Sequence, residues 1–211
     1  MSRLSEALDQ LAFVRRYTNE RLDTVPLGDW FTFSPGGVSH IAWQVGHIAM
    51  AEYRLCLERL RGRTQSDLAL ISDDFLKVFS RDTTPGPAGE YPPAAEIRAV
   101  YDRVHARVLE ELPSYPDADL DLAPLKPHPL LKSRIESLRY APLHEMIHCG
   151  QIAFIRRTLG QKPVVNHLST NVRGARASRP PSTMRCGRGA RGLKKTSSCS
   201  TPLTFVTTPK P

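Results

Sequence analysis

The stretch PLHEMIHCGQIAFIRRTLG, residues 142–160, decides how the fold of this chain is interpreted. It contains two histidines, His144 and His148, that lie four residues apart. Four residues are about one turn of an α-helix, so both imidazoles project from the same helix face. Two neutral imidazoles at one point supply two ligands of a transition-metal site. A third ligand must then come from another part of the chain.

The neighbours on this helix indicate which way the histidine face points. At about 100° per residue, Gln151 and Ile155 continue the face, and Glu145 lies one step from its edge. Arg156 and Arg157 lie away from it, which predicts that the histidines point into an apolar interior. The alternative is a pair of core histidines that each bond a backbone carbonyl. The four-residue spacing between flanking isoleucines favours metal ligands.

The same letters spell H-E-x-x-H, the helix signature of zinc metallopeptidases. That alternative needs a third ligand downstream of the motif. Phe154 occupies the position where one form of the motif has histidine, and Glu145 is the last acidic residue of the chain. Only His167 remains as a downstream ligand. The sequence therefore disfavours a metallopeptidase.

A second stretch, IAWQVGHIAMA at residues 41–51, carries no charge on any face. A helix that is apolar all round is buried all round, so His47 is predicted to be buried. A buried imidazole needs partners, and a metal ion is one of them. His40 lies two turns earlier on the same side and is the alternative ligand. Gly46, beside His47, predicts a close approach by another element.

The remaining pattern predicts an all-α protein. Apolar residues at three- and four-residue steps indicate helices over about residues 3–24, from a cap at Ser34 or Ser39 to about Arg61, over about 93–112 and over about 131–159. Pro142 either begins the histidine-bearing part of the last helix or kinks it. The long connection between the second and third helices, residues 62–92, predicts a four-helix bundle with a crossover.

The net charge of +8 comes entirely from the end of the chain. Residues 170–211 hold nine Lys or Arg and no acidic residue, whereas residues 1–169 hold 20 basic and 21 acidic residues. We predict a helical domain over 1–168 and a disordered basic tail over 169–211. The pI is thus no sign of a nucleic-acid-binding protein, apart from weak phosphate or RNA binding by the tail.

Composition also predicts the compartment. The start of the chain shows no apolar signal segment, and no apolar run approaches the ~20 residues that a membrane span needs. The four cysteines form no C-x-x-C pair, which is typical of a reducing compartment. We expect a cytoplasmic protein without membrane partners.

These motifs together resemble a known family. The segment W-Q-V-G-H-I-A (residues 43–49), the crossover, H-E-M-I-H-C-G-Q-I (residues 144–152) and R-R-T-L-G resemble DinB/YfiT-like metalloenzymes over roughly residues 5–165. The resemblance implies a bundle of up-down-down-up topology, often dimeric. It also implies a metal held by one histidine late in the second helix and an H-x-x-x-H pair in the fourth. By position these are His47, His144 and His148.

Two functions remain open from the sequence. The first is an enzyme with a divalent metal, zinc or nickel, at the three histidines, with Glu145 and Gln151 as candidate catalytic residues. Characterised relatives include thiol transferases, which implies a low-molecular-weight thiol transferred to an electrophile, or else hydrolysis of a small substrate. The second is a non-catalytic metal-binding or dimerisation bundle. In both cases we expect a homodimer.

Overall fold

A computed structural model of the protein describes residues 2–164. The predicted tail over 169–211, its disorder and its weak nucleic-acid binding lie outside the described residues, as does His167. Within residues 2–164 the chain is helical and contains no β-strand, which confirms the all-α prediction. No helix in this part combines the length and the hydropathy that crossing a membrane requires.

The described residues contain four long helices: α1 (Arg3–Leu22), α2 (Ile41–Glu52), α3 (Ala94–Glu111) and α4 (Arg134–Thr158). A π-helical turn continues α2 and leads into one last α-helical turn. Short helical pieces lie in the connections. These shorter elements are the π-turn Tyr53–Glu58, the α-turns Arg59–Arg61, Asp67–Leu70 and Asp73–Val78, and the 3₁₀ turns Leu27–Asp29, Ala88–Glu90, Leu112–Ser114 and Asp117–Asp121.

Helix α2 occupies the centre of the domain. It packs against α3 on one side and α4 on the other, and α1 packs against α4. Every residue of α2 is buried, which includes the whole uncharged run 41–51 that was predicted to be buried. The contacts agree with a bundle whose second helix is covered by its neighbours, because a helix without a polar face cannot border water.

The crossover between α2 and α3 covers one end of this core. Phe75, Leu76 and Phe79 are buried in it. The ring of Phe79 lies directly on Gly46, where an added β-carbon would come within 2.4 Å of it. The close approach predicted at Gly46 is therefore made by an aromatic side chain of the crossover.

Two helix boundaries differ from the sequence prediction. His40, rather than Ser34 or Ser39, caps α2, because its Nδ1 accepts a hydrogen bond from the backbone N–H of Trp43. A ring nitrogen with a free lone pair satisfies that N–H as a serine oxygen would. Helix α4 begins after the Ser133 cap and continues through Pro142, so Pro142 does not start the helix.

Candidate metal centre

Three histidines from two helices meet inside the domain. His47 of α2 and His144 and His148 of α4 each bring a ring nitrogen to one point, and these atoms lie within 4.8 Å of one another. The ring centroids of His47 and His148 are 4.7 Å apart, and those of His47 and His144 are 5.2 Å apart. His47 and His148 are buried, and His144 is half-buried. The structure therefore brings together the three predicted ligands.

Backbone and side-chain contacts hold His47 in one orientation. Its ring stacks on Trp43 at a centroid distance of 4.7 Å, and its Nδ1 lies 2.8 Å from the carbonyl oxygen of Phe79. A carbonyl only accepts hydrogen bonds, so Nδ1 must carry the proton. The lone pair of the neutral ring is then on Nε2, the nitrogen left for a metal.

Gln44 holds His148 in one orientation and places its proton on Nδ1. Its Oε1 lies 2.6 Å from Nδ1 of His148, while its Nε2 donates to the hydroxyl of Ser39 at 2.8 Å. Because the amide nitrogen is engaged by Ser39, the oxygen faces the imidazole and Nδ1 of His148 is the donor. Sequence reasoning did not single out Gln44. Its position three residues before His47, on the same side of an apolar helix, was the available signal.

The spacing of the two α4 nitrogens fits a transition metal. Nε2 of His144 and Nε2 of His148 are 3.3 Å apart. Two nitrogens bound to one tetrahedral zinc at ~2.0–2.1 Å would be about 3.3 Å apart. Because Gln44 places the proton of His148 on Nδ1, its Nε2 has a lone pair in this gap. The donor set and its separation both suit a divalent ion that takes imidazole ligands.

The electrostatics keep these rings neutral. Burial, followed by the neighbouring histidines, lowers the pKa of His148 to about 3. Burial and His47 lower the pKa of His144 to about 4. Burial also lowers the pKa of His47, a change that the Phe79 carbonyl opposes and the charge of Arg54 increases. Metal ligands must be unprotonated, so all three rings are ready to bind near neutral pH.

The other described histidines form hydrogen bonds outside the three-histidine cluster. His40, the alternative ligand, uses Nδ1 to cap α2 and lies 3.0 Å through Nε2 from the carbonyl of Gly86, so neither nitrogen is left for a metal. His105 bonds Glu52 through Nδ1 at 2.7 Å. Nδ1 of His128 accepts a hydrogen bond from the backbone N–H of Leu130.

A cleft of about 700 Å³ opens beside the three histidines. We call it the histidine cleft. Gln151, one of the two predicted catalytic residues, lines it together with Gln44 and Tyr140. Its basic side chains are Arg54, Arg59 and Arg81. The volume suits a small molecule bound next to the nitrogens.

The structure places Glu145, the other predicted catalytic residue, in a different cluster. Its carboxylate accepts hydrogen bonds from Nε of Arg15 at 3.1 Å and from the hydroxyl of Tyr101 at 3.1 Å. It is buried and does not line the histidine cleft. One residue along a helix is a rotation of about 100°, which turns Glu145 away from His144. A catalytic role for Glu145, and with it the metallopeptidase alternative, gains no support from this position.

Comparison with known proteins places the chain in a family. No curated protein matches it in sequence. The family model described as the DinB superfamily matches residues 10–152, about two-thirds of the chain. The matched region runs from α1 into α4 and contains all three histidines of the candidate metal centre. The chain therefore belongs to the DinB superfamily.

Proposed function

We propose that this protein is a metal-dependent enzyme of the DinB type, which transfers a low-molecular-weight thiol to an electrophile or hydrolyses a small substrate. The observation that carries the proposal is the convergence of His47, His144 and His148 on one point at the floor of an open cleft. Bound there, zinc or nickel lowers the pKa of a water towards ~7 or deprotonates a thiol outright.

The number of ligands supports an enzyme over a structural site. Structural zinc sites are closed by four protein ligands, whereas catalytic sites have three and keep a position open. Within residues 2–164 the group that could hold a metal consists of three histidines. A non-catalytic, purely structural site would need a fourth ligand from the protein, so the described donor set favours catalysis.

The surrounding residues have separate tasks in this proposal. The Phe79 carbonyl and Gln44 hold the protons of His47 and His148 on Nδ1. Trp43 covers one face of His47 and keeps the ring from turning. Gln151 lies in the cleft with an exposed side chain and is the candidate to hydrogen-bond a substrate. These residues orient the ligands and the substrate rather than carry out the chemistry.

Metal analysis of purified full-length protein tests the centre. Wild type should hold one divalent ion per chain, and His47→Ala and His144→Ala should lose it. His128→Ala is the matched control, because His128 borders the same cleft but is outside the cluster. Equal metal content in all four proteins would refute the three-histidine centre. Circular dichroism of each variant establishes that the fold is kept.

Activity assays separate the two reactions. Metal-loaded protein is incubated with a panel of small thiols and an electrophile such as a chloronitroarene, and separately with activated esters and amides. We expect turnover in one panel and its loss in His144→Ala. Turnover in neither panel, with metal bound in full, would favour the non-catalytic bundle.

We also propose that the protein forms a homodimer through the outer side of α4. Leu143, Ile147 and Phe154 are more than half exposed and follow one another at intervals of four and seven residues. A β-carbon at Gly150, between them, would meet no atom within 4 Å. Such a stripe pairs well with a copy of itself. Sedimentation should give a dimer for wild type and a folded monomer for Ile147→Asp, and a monomeric wild type would refute the pairing.

A further inference from the structure

Two arginines of the histidine cleft lack the partners that buried arginines usually have. Arg59 is 9% exposed, and its Nε has no hydrogen-bond partner within residues 2–164. The same is true of the buried Nε of Arg54. One N–H of Arg59 donates to the backbone carbonyl of Arg54 at 3.2 Å, and no carboxylate pairs with either guanidinium in this part of the chain. A buried charge without a counter-charge destabilises the fold, so we expect a ligand to supply the negative charge and the hydrogen-bond acceptors.

A local irregularity of the helix points both arginines at the cleft. Arg54 follows His47 by seven residues, about two turns, and so lies on nearly the same face. Arg59 follows His47 by twelve residues, and in a regular α-helix it would lie roughly 120° away. The π-turn Tyr53–Glu58 adds one residue to a turn and reduces this offset to about 20°. The backbone N–H of Arg59 accordingly bonds the carbonyl of Arg54, five residues earlier.

The charges around the cleft favour an anion. Arg54, Arg59 and Arg81 line it, against one acidic residue, Asp82, which pairs with Arg81 at 3.5 Å. Glu58, the residue before Arg59, is held by Lys126 instead, at 3.2 Å. The two inner arginines therefore face the cleft without a carboxylate between them. A guanidinium binds oxyanions through paired N–H donors, which makes arginine the usual residue for this purpose.

We propose that Arg54 and Arg59 form an oxyanion-binding subsite of the histidine cleft, which holds a carboxylate or phosphate group of the small molecule bound there. The π-turn is the device that builds the subsite, because it brings the second guanidinium onto the face of His47. The molecule would thus have its anionic group at the arginines and its reacting atom at the histidines. The substrate class rests on the function proposed above, whereas binding of the anion does not.

Titration calorimetry with full-length protein at constant ionic strength tests the subsite. The probes are succinate and inorganic phosphate, with neutral succinamide as the blank. We expect wild type to bind at least one anion, and Arg54→Gln and Arg59→Gln to weaken binding about tenfold or more. Arg139→Gln, a change at an exposed arginine of α4, should leave the affinity unchanged. The tighter of the two anions identifies the group that the subsite takes.

Further variants separate the arginines from the metal. His144→Ala should keep its anion affinity, and the arginine variants should keep their metal. Arg59→Lys retains the charge but not the paired donors, and should fall between wild type and Arg59→Gln. Loss of anion binding in His144→Ala alone would place the anion on the metal and overturn the subsite, as would unchanged affinity in both arginine variants. Unchanged metal content in His144→Ala would instead overturn the proposed function and leave the subsite standing.

Discussion

The domain contains two buried polar clusters that differ in how they are completed. In the first, Arg15 of α1 pairs with Glu52 of α2 and Glu145 of α4, and its guanidinium lies 3.5 Å from the ring centroid of Tyr101 of α3. His105 of α3 bonds the second oxygen of Glu52 at 2.7 Å. Every charge in this network has a partner of opposite charge within the protein. Every long helix contributes at least one residue, so the network ties all four together.

The second cluster, at the three histidines, is left incomplete. The Phe79 carbonyl and Gln44 anchor the Nδ1 atoms of His47 and His148, and the Nε2 atoms of His144 and His148 lie 3.3 Å apart, with only each other as partners. Among residues 2–164, the Nε atoms of the adjoining Arg54 and Arg59 also have no hydrogen-bond partner. The comparison teaches that burial of polar groups alone does not mark a binding site. A completed network stabilises the fold, whereas ring nitrogens that meet at one point beside a cleft provide a place for a ligand.

Breaking the completed network should have the largest effect. Arg15→Met would leave the carboxylates of Glu52 and Glu145 buried without their shared cation. We expect the free energy of unfolding, measured by urea denaturation, to fall by about 3–5 kcal/mol. The folded fraction should still bind metal, because Arg15 contacts none of the three histidines.

Arg3→Met is the matched control for this change. Arg3 forms ion pairs with Asp117 and Asp121, but on the surface, where water and salt screen them. Its loss should cost far less than that of Arg15. Equal losses in the two variants would show that the buried network does not have the structural role assigned to it.

A change at the second cluster should affect binding rather than folding. Gln44→Ala removes the hydrogen bond that orients His148, and loss of such a partner typically lowers metal affinity about 10–100-fold. We expect this loss in a competition titration against a chelator of known affinity. Gln151→Ala should change the metal affinity much less, because Gln151 is exposed and its hydrogen bond to His148 competes with water. The reverse order would show that Gln151, rather than Gln44, orients the ligands.

The smallest expected effect is on the acid dependence of the free energy of unfolding, to which Glu52 of the completed network contributes. Burial alone would raise the pKa of Glu52, but Arg15 and His105 outweigh it and hold the pKa below its usual 4.5. Between the two values the unfolded chain binds more protons than the folded one, so stability falls as the pH drops below about 4.5. We expect a shallower acid dependence of the free energy of unfolding in Glu52→Gln than in wild type. Glu20→Gln, at an exposed site, should keep the wild-type slope.

Much of the fold could be predicted because the apolar pattern that indicates a helix lies within the helix's own sequence. The three- and four-residue apolar steps of α1 and α3 and the uncharged run of α2 predicted the helices within a few residues. The π-turn after α2 was not predicted, since nothing in the letters of Tyr53–Glu58 distinguishes it from an α-helix. Such π-turns are rare and occur as single turns inside α-helices, so a helical pattern of apolar residues does not locate them.

The candidate site was predicted in part for the same reason. The pair His144 and His148 follows from helix geometry alone, and the burial of His47 follows from the composition of its helix. Glu145 illustrates the limit. Its adjacency to His144 in sequence suggested a shared site, but it bonds Arg15, which lies 130 residues away along the chain. A carboxylate's partner depends on which helix packs beside it, and that information is not local.

The sequence by itself determined which residues share a helix face, because the α-helical repeat of 3.6 residues is a property of the backbone. It thereby determined the helical fold, the histidine pair of α4 and the burial of α2. The tertiary structure decided how those faces meet: that His47 joins the pair while His40 caps its helix, and that Gln44 and the Phe79 carbonyl place the protons. It also decided that Glu145 forms its ion pair with Arg15. Each of these depends on distances between segments far apart in the chain, which only packing fixes.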